Sequence, residues 1–130
     1  MAISKSEIED IAELFFHESA EERVEQCGRM TNIMKLELQD NNNISKTPVL
    51  QKGVISDGND SVGHAFITLP ASEIKEANSG PVIIDSTIQQ FCKENYNNGL
   101  VELEVESSIE IPENVGIYTP NDDAYELYEF

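Results

Sequence analysis

The stretch Val62-Gly63-His64-Ala65-Phe66-Ile67-Thr68-Leu69 reads as a β-strand. Side chains along a strand alternate between its two faces, which places His64, Phe66 and Thr68 on one and Ala65, Ile67 and Leu69 on the other. Just before it, residues 49–55 form a second strand candidate, and Ser56-Asp57-Gly58-Asn59-Asp60 lies between the two. Gly and Asn tolerate the positive φ of a tight reversal, so the two runs are expected to pair as an antiparallel hairpin. Residues 82–85 and 100–105 are further strand candidates, each bounded by Gly, Asn, Asp or Pro.

Upstream the periodicity changes to that of helices. Ser6 and Glu9 have capping-box spacing, and Ile8, Ile11, Ala12, Phe15 and Phe16 recur at helical intervals, which predicts an amphipathic helix over 6–17. Ser19 with Glu22 repeats the capping signal and leads into a second helix. There Cys27, Met30, Thr31, Met34 and Leu38 fall on one stripe flanked by Ile33 and Leu36, with Cys27 at or near the N-terminus. Asn41-Asn42-Asn43 is read as a loop. The expected architecture is α+β: N-terminal helices, one of them carrying Cys27, packed on an antiparallel sheet of about four strands.

The chain has 130 residues, enough for one domain with one core. It divides into a helical part over 1–40, a β-rich part over 48–118 and an acidic aromatic tail over 119–130. A hydrophobic fraction of 39 %, with five Phe and four Tyr, is globular in composition. Its net charge of −17 repels phosphate backbones and anionic headgroups, which argues against nucleic acid and membrane surfaces as partners. Such charge density is shared by proteins of salt-in halophiles and their viruses, by ordinary acidic proteins and by polyanion mimics. The start of the chain has no apolar signal core and no run is long enough to span a membrane, so a cytoplasmic location is expected. The two cysteines, Cys27 and Cys92, are too few for a disulfide scaffold, and reduced thiols are the simpler expectation.

The residues able to carry chemistry are Cys27, His64 and Asp85. A thiol at a helix N-terminus has its pKa lowered by the positive end of the dipole, and the same N–H groups can hold an oxyanion. Taken alone, Cys27 on an apolar stripe is an ordinary small core residue. Asp85 ends the apolar run Val82-Ile83-Ile84, where it can orient an imidazole or serve as a turn residue bonded to the backbone near Ser86 or Thr87. His17, at the end of the first helix, reads as structural, and Asp57-Gly58-Asn59-Asp60 as a hairpin turn lacking the longer loop and closing Glu of an EF-hand. Cys92 has no CxxC partner, so neither a metal nor a cofactor is expected. The tail can dock an aromatic edge onto the core or onto a partner.

A Cys at the head of a helix, a His on a strand and an Asp on the next strand resemble the transglutaminase-like branch of the papain-like cysteine peptidase superfamily. The local likeness lies in Gly63-His64-Ala65-Phe66-Ile67-Thr68-Leu69-Pro70 and Val82-Ile83-Ile84-Asp85-Ser86-Thr87-Ile88-Gln89-Gln90-Phe91. It spans residues 24–91, with Gly28 where many members carry an aromatic residue. The resemblance implies a minimal core of that fold, with Cys27 as nucleophile, His64 as general base and then acid, and Asp85 as the orienting carboxylate. It also implies thiol-dependent acyl transfer or amide hydrolysis on a protein or peptide amide. Peptidase, deamidase, transglutaminase and N-acyltransferase all share its thioester step. Candidates for the oxyanion hole are the Cys27 backbone N–H and the Gln26 side chain. The other expectation is a noncatalytic acidic interaction protein that retains the scaffold.

Overall fold

The computed structural model describes residues 2–15, 27–41, 44–56, 61–88 and 115–130, with the backbone alone at 14–15 and 27–30. Two helices, α1 (Lys5–Phe15) and α2 (Cys27–Gln39), precede β1 (Val49–Ser56) and β2 (Ser61–Leu69). Three shorter strands follow, β3 (Val82–Asp85), β4 (Gly116–Tyr118) and β5 (Tyr128–Glu129). The strands form one antiparallel sheet in the order β4-β3-β2-β1-β5. The α+β class is therefore as expected, with five strands among the described residues where about four were anticipated. The candidate at 100–105 lies outside the described residues. Both edges of the described sheet, β4 and β5, lie outside the strand candidates, because three and two residues carry too little alternation to announce a strand.

The hairpin pairs Ser56 with Ser61 and runs in continuous register to Val49 opposite Thr68. Two hydrophobic clusters then form, one on each face of the sheet. On one face Ile67, Leu69, Val82 and Ile84 meet Ile8 and Ala12 of α1 and Met34 and Leu38 of α2. On the other, Ile55, Phe66 and Ile83 meet Tyr118, Ala124, Leu127 and Tyr128. β2 and β3 thus send alternate residues into different cores, as the period of two requires.

The helix boundaries depart from expectation in two places. The cap of α1 is Ser4 with Glu7: the Glu7 N–H donates to Ser4 Oγ at 3.1 Å and the Ser4 hydroxyl to Glu7 Oε1 at 3.4 Å. Ser4/Glu7 and Ser6/Glu9 have the same spacing, and the choice falls to the extended residue before them. Ile3 bridges Ile74, donating to the Glu73 carbonyl and accepting from Lys75 N–H, each at 2.9 Å, so the helix starts directly behind it. On α2, Leu36 is 51 % exposed, and among the described side chains Thr31, Met34 and Leu38 are buried.

Glu73, in the 3-10 turn Ala71–Glu73, is buried among these connections. Its carboxylate accepts from the Ser45 hydroxyl at 2.7 Å and the Ser45 N–H at 3.2 Å, which ties the loop after α2 to the segment after β2. The Ser45 hydroxyl holds the carboxyl below the ordinary glutamate range, against the upward push of burial and with lesser help from Lys46. A depressed pKa contributes stability that is present above the unfolded value and is lost as pH falls through the folded one. Glu73→Gln is therefore expected to unfold at lower urea than the parent at pH 7, and the difference should close as both are titrated below about pH 4. A gap that persists unchanged into acid would refute this account of Glu73.

Candidate active site

His64 belongs to the face of β2 that carries Phe66, and both are buried. Thr68 of β2 pairs with Ile83 of β3, and continuing that alternation brings Asp85 onto the same face as His64, diagonally across the two strands. There His64 Nε2 and Asp85 Oδ2 stand 2.7 Å apart with both side chains at 0 % exposure. Opposite an accepting carboxylate the Nε2 proton is the one shared, which makes Nδ1 the basic nitrogen of the neutral ring.

Asp85 fills both roles open to it in the sequence. Oδ1 accepts the Thr87 N–H at 3.0 Å, the turn bond of a residue closing a strand, while Oδ2 faces His64. Oδ2 also accepts the Tyr128 hydroxyl at 2.6 Å. Nothing local in the sequence pointed to Tyr128; the alternation of aromatic and acidic residues in the tail was the only available signal.

Residues 119–130 roof this pair. Asp122 accepts the Thr119 N–H at 2.7 Å, a 3-10 turn over Asp123–Leu127 follows, and the Tyr125 hydroxyl donates to the Pro81 carbonyl at 2.9 Å. Burial pushes the Tyr125 pKa up, in keeping with a phenol that stays protonated as a donor. The strand β5 then runs along β1, and the Tyr128 ring meets Phe66 edge-on at 4.9 Å. Gly53, opposite His64 on β1, permits that approach, because a Cβ there would stand 2.5 Å from the Glu129 carbonyl oxygen.

Cys27 is the first residue of α2, and its side chain lies outside the described residues. One turn further, the Thr31 hydroxyl donates to the Ala65 carbonyl at 3.1 Å. A strand carbonyl points along the sheet toward its neighbour, so this bond fastens the early part of α2 to the flank of β2 beside His64. The hydrophobic stripe of α2 nevertheless packs on the face opposite His64 and Asp85. Among the described residues the His64–Asp85 pair lies buried under the C-terminal segment. Gln26, His17, Cys92 and the turn at 57–60 lie outside the described residues.

No three His, Cys, Asp or Glu side chains among the described residues cluster so as to hold a metal ion. No helix among them is long and apolar enough to cross a membrane. A shallow groove of about 460 Å³, lined by Val49, Thr68, Pro70, Ala71 and Pro81, opens at the far end of β2 from His64. Compared with known proteins, the chain matches no family model, no curated protein and no solved structure.

Proposed function

We propose that the chain is a thiol acyl-transfer enzyme of the transglutaminase-like kind, acting on a carboxamide or ester through a thioester at Cys27. The observation that carries this reading is the buried His64–Asp85 bond at 2.7 Å, the pairing of a base with its orienter that the thiol scheme uses. The Thr31–Ala65 tie supports it by bringing the helix headed by Cys27 to the strand of the base. In the reaction His64 Nδ1 takes the Cys27 proton and the thiolate adds to the carbonyl carbon, with the Cys27 backbone N–H as donor to the oxyanion. His64 then returns the proton to the departing amine or alcohol, and water or an amine releases the acyl group. The net charge of −17 disfavours polyanionic substrates, and a protein or peptide amide is the substrate class that the family resemblance implies.

The experiment is the rate of Cys27 alkylation against pH in the parent and in His64→Gln, with Cys92 replaced by serine in both. The parent should react with a midpoint below the ~8.5 of a free thiol, and at pH 6.5 His64→Gln should react at least about tenfold more slowly. A midpoint near the free-thiol value in both proteins overturns the proposal.

The complete burial of His64 and Asp85 under β5 favours a second reading, a noncatalytic acidic interaction protein that keeps the pair as a structural bond. Under that reading Cys27→Ala leaves partner binding intact, and His64→Gln changes stability without changing thiol reactivity.

A further inference from the structure

We propose that Tyr128 is a positioning residue of this site, fixing the Asp85 carboxylate against His64 through their shared Oδ2, so that the C-terminal strand completes the site. The inference rests on the reading of His64 as the base. Its ground is the geometry at one oxygen: His64 Nε2 at 2.7 Å and Tyr128 Oη at 2.6 Å both meet Asp85 Oδ2, while Thr87 N–H occupies Oδ1 at 3.0 Å. A carboxylate held by three donors has little freedom to rotate, and the imidazole it orients is held with it.

The Tyr128 hydroxyl also competes with the imidazole for the electron density of Oδ2. Each donor to a carboxylate disperses its charge, so the hydroxyl weakens the pull of Asp85 on the imidazolium form of His64. Among the polar groups that meet Asp85 are His64 from β2, Thr87 just after β3 and Tyr128 from β5. Phe66 from β2, whose ring centre is 6.0 Å from that of His64, and Tyr118 from β4, whose ring centre is 5.9 Å from that of Tyr128, lie beside them. Tyr128 seats its ring on Phe66 independently of its hydroxyl, at 4.9 Å and 69°. Removing the oxygen alone therefore leaves the packing of β5 in place.

Tyr128→Phe in the full chain, followed by NMR titration of the His64 ring protons, tests the proposal. The midpoint of the His64 titration should rise by about one pH unit in the variant, while the circular dichroism spectrum stays that of the parent. In an Asp85→Asn background, where no carboxylate remains to be tuned, Tyr128→Phe should shift the midpoint by less than about a fifth of that. An unchanged midpoint in the single variant overturns the proposal, as does an equal shift in both backgrounds. Should Asp85→Asn fail to fold, the single variant still decides. The proposed function fails separately, on Cys27 alkylation, because the two Tyr128→Phe comparisons each hold the thiol constant and read only the Tyr128–Asp85 contribution.

Discussion

Asp85→Ala is expected to destabilise the protein by about 3–5 kcal/mol, the usual cost of removing one partner from a buried, hydrogen-bonded polar pair. The magnitude follows from what is left behind. His64 Nε2, the Tyr128 hydroxyl and the Thr87 N–H would all lose their acceptor, and the His64 and Asp85 side chains are fully buried. Each stranded buried donor costs about 1–3 kcal/mol, and the three are too close together to add fully. Domains of this size are stable by only about 5–15 kcal/mol, so the variant would be marginal at 25 °C. Urea unfolding measures the loss directly. Asp122→Ala is a useful comparison, because its carboxylate caps Thr119 in a half-buried turn and its loss should cost about 1 kcal/mol. If Asp85→Ala cost no more than Asp122→Ala, the buried network would not be a principal support of the fold.

Phe66→Ala should be equally severe, at about 3–5 kcal/mol, for a different reason. Phe66 is fully buried in the core that holds Ile83 and Leu127, meeting Tyr128 at 4.9 Å and Phe130 at 5.5 Å, both edge-on. Alanine removes the apolar ring, opens a cavity that the hairpin is too regular to collapse into, and deprives β5 of its seat. The C-terminal segment should therefore loosen before the sheet unfolds. Amide exchange at residues 124–130 is expected to accelerate more than exchange in β2 and β3, and uniform acceleration over the whole sheet would contradict this order of events. Phe66→Leu, which retains most of the apolar volume, should recover a large part of the stability.

The face of β2 that His64 shares with Phe66 was legible in the sequence because it depends on strand periodicity, whereas its meeting with Asp85 was an expectation that the family resemblance carried. Once 62–69 and 82–85 are strands, the period of two restricts where His64 and Asp85 can point, and adjacent antiparallel pairing brings them within reach. The same periodicity gave the hairpin and the apolar stripes of both helices. It did not distinguish Ser4 from Ser6 as the cap of α1, since both precede a Glu at the same spacing. The bridge from Ile3 to Ile74 decided that, a contact across 71 residues of chain. Nor did it show that Leu36 faces solvent, which depends on where α2 lies against the sheet.

The face of β2 that carries His64, an α+β chain and a strongly acidic composition are what the sequence by itself determined. Each follows from residue type and short-range spacing. Only the tertiary structure decided that a C-terminal strand roofs the pair and that Tyr128 shares the carboxylate oxygen with His64. It also decided that Met34 and Leu38 of α2 pack on the other face of the sheet. Tyr128 and Asp85 are 43 residues apart, and the bond between them forms because β5 docks on β1 through two residues and an aromatic ring. No local period encodes such a contact; it exists because a buried carboxylate requires donors and the folded chain brings one to it.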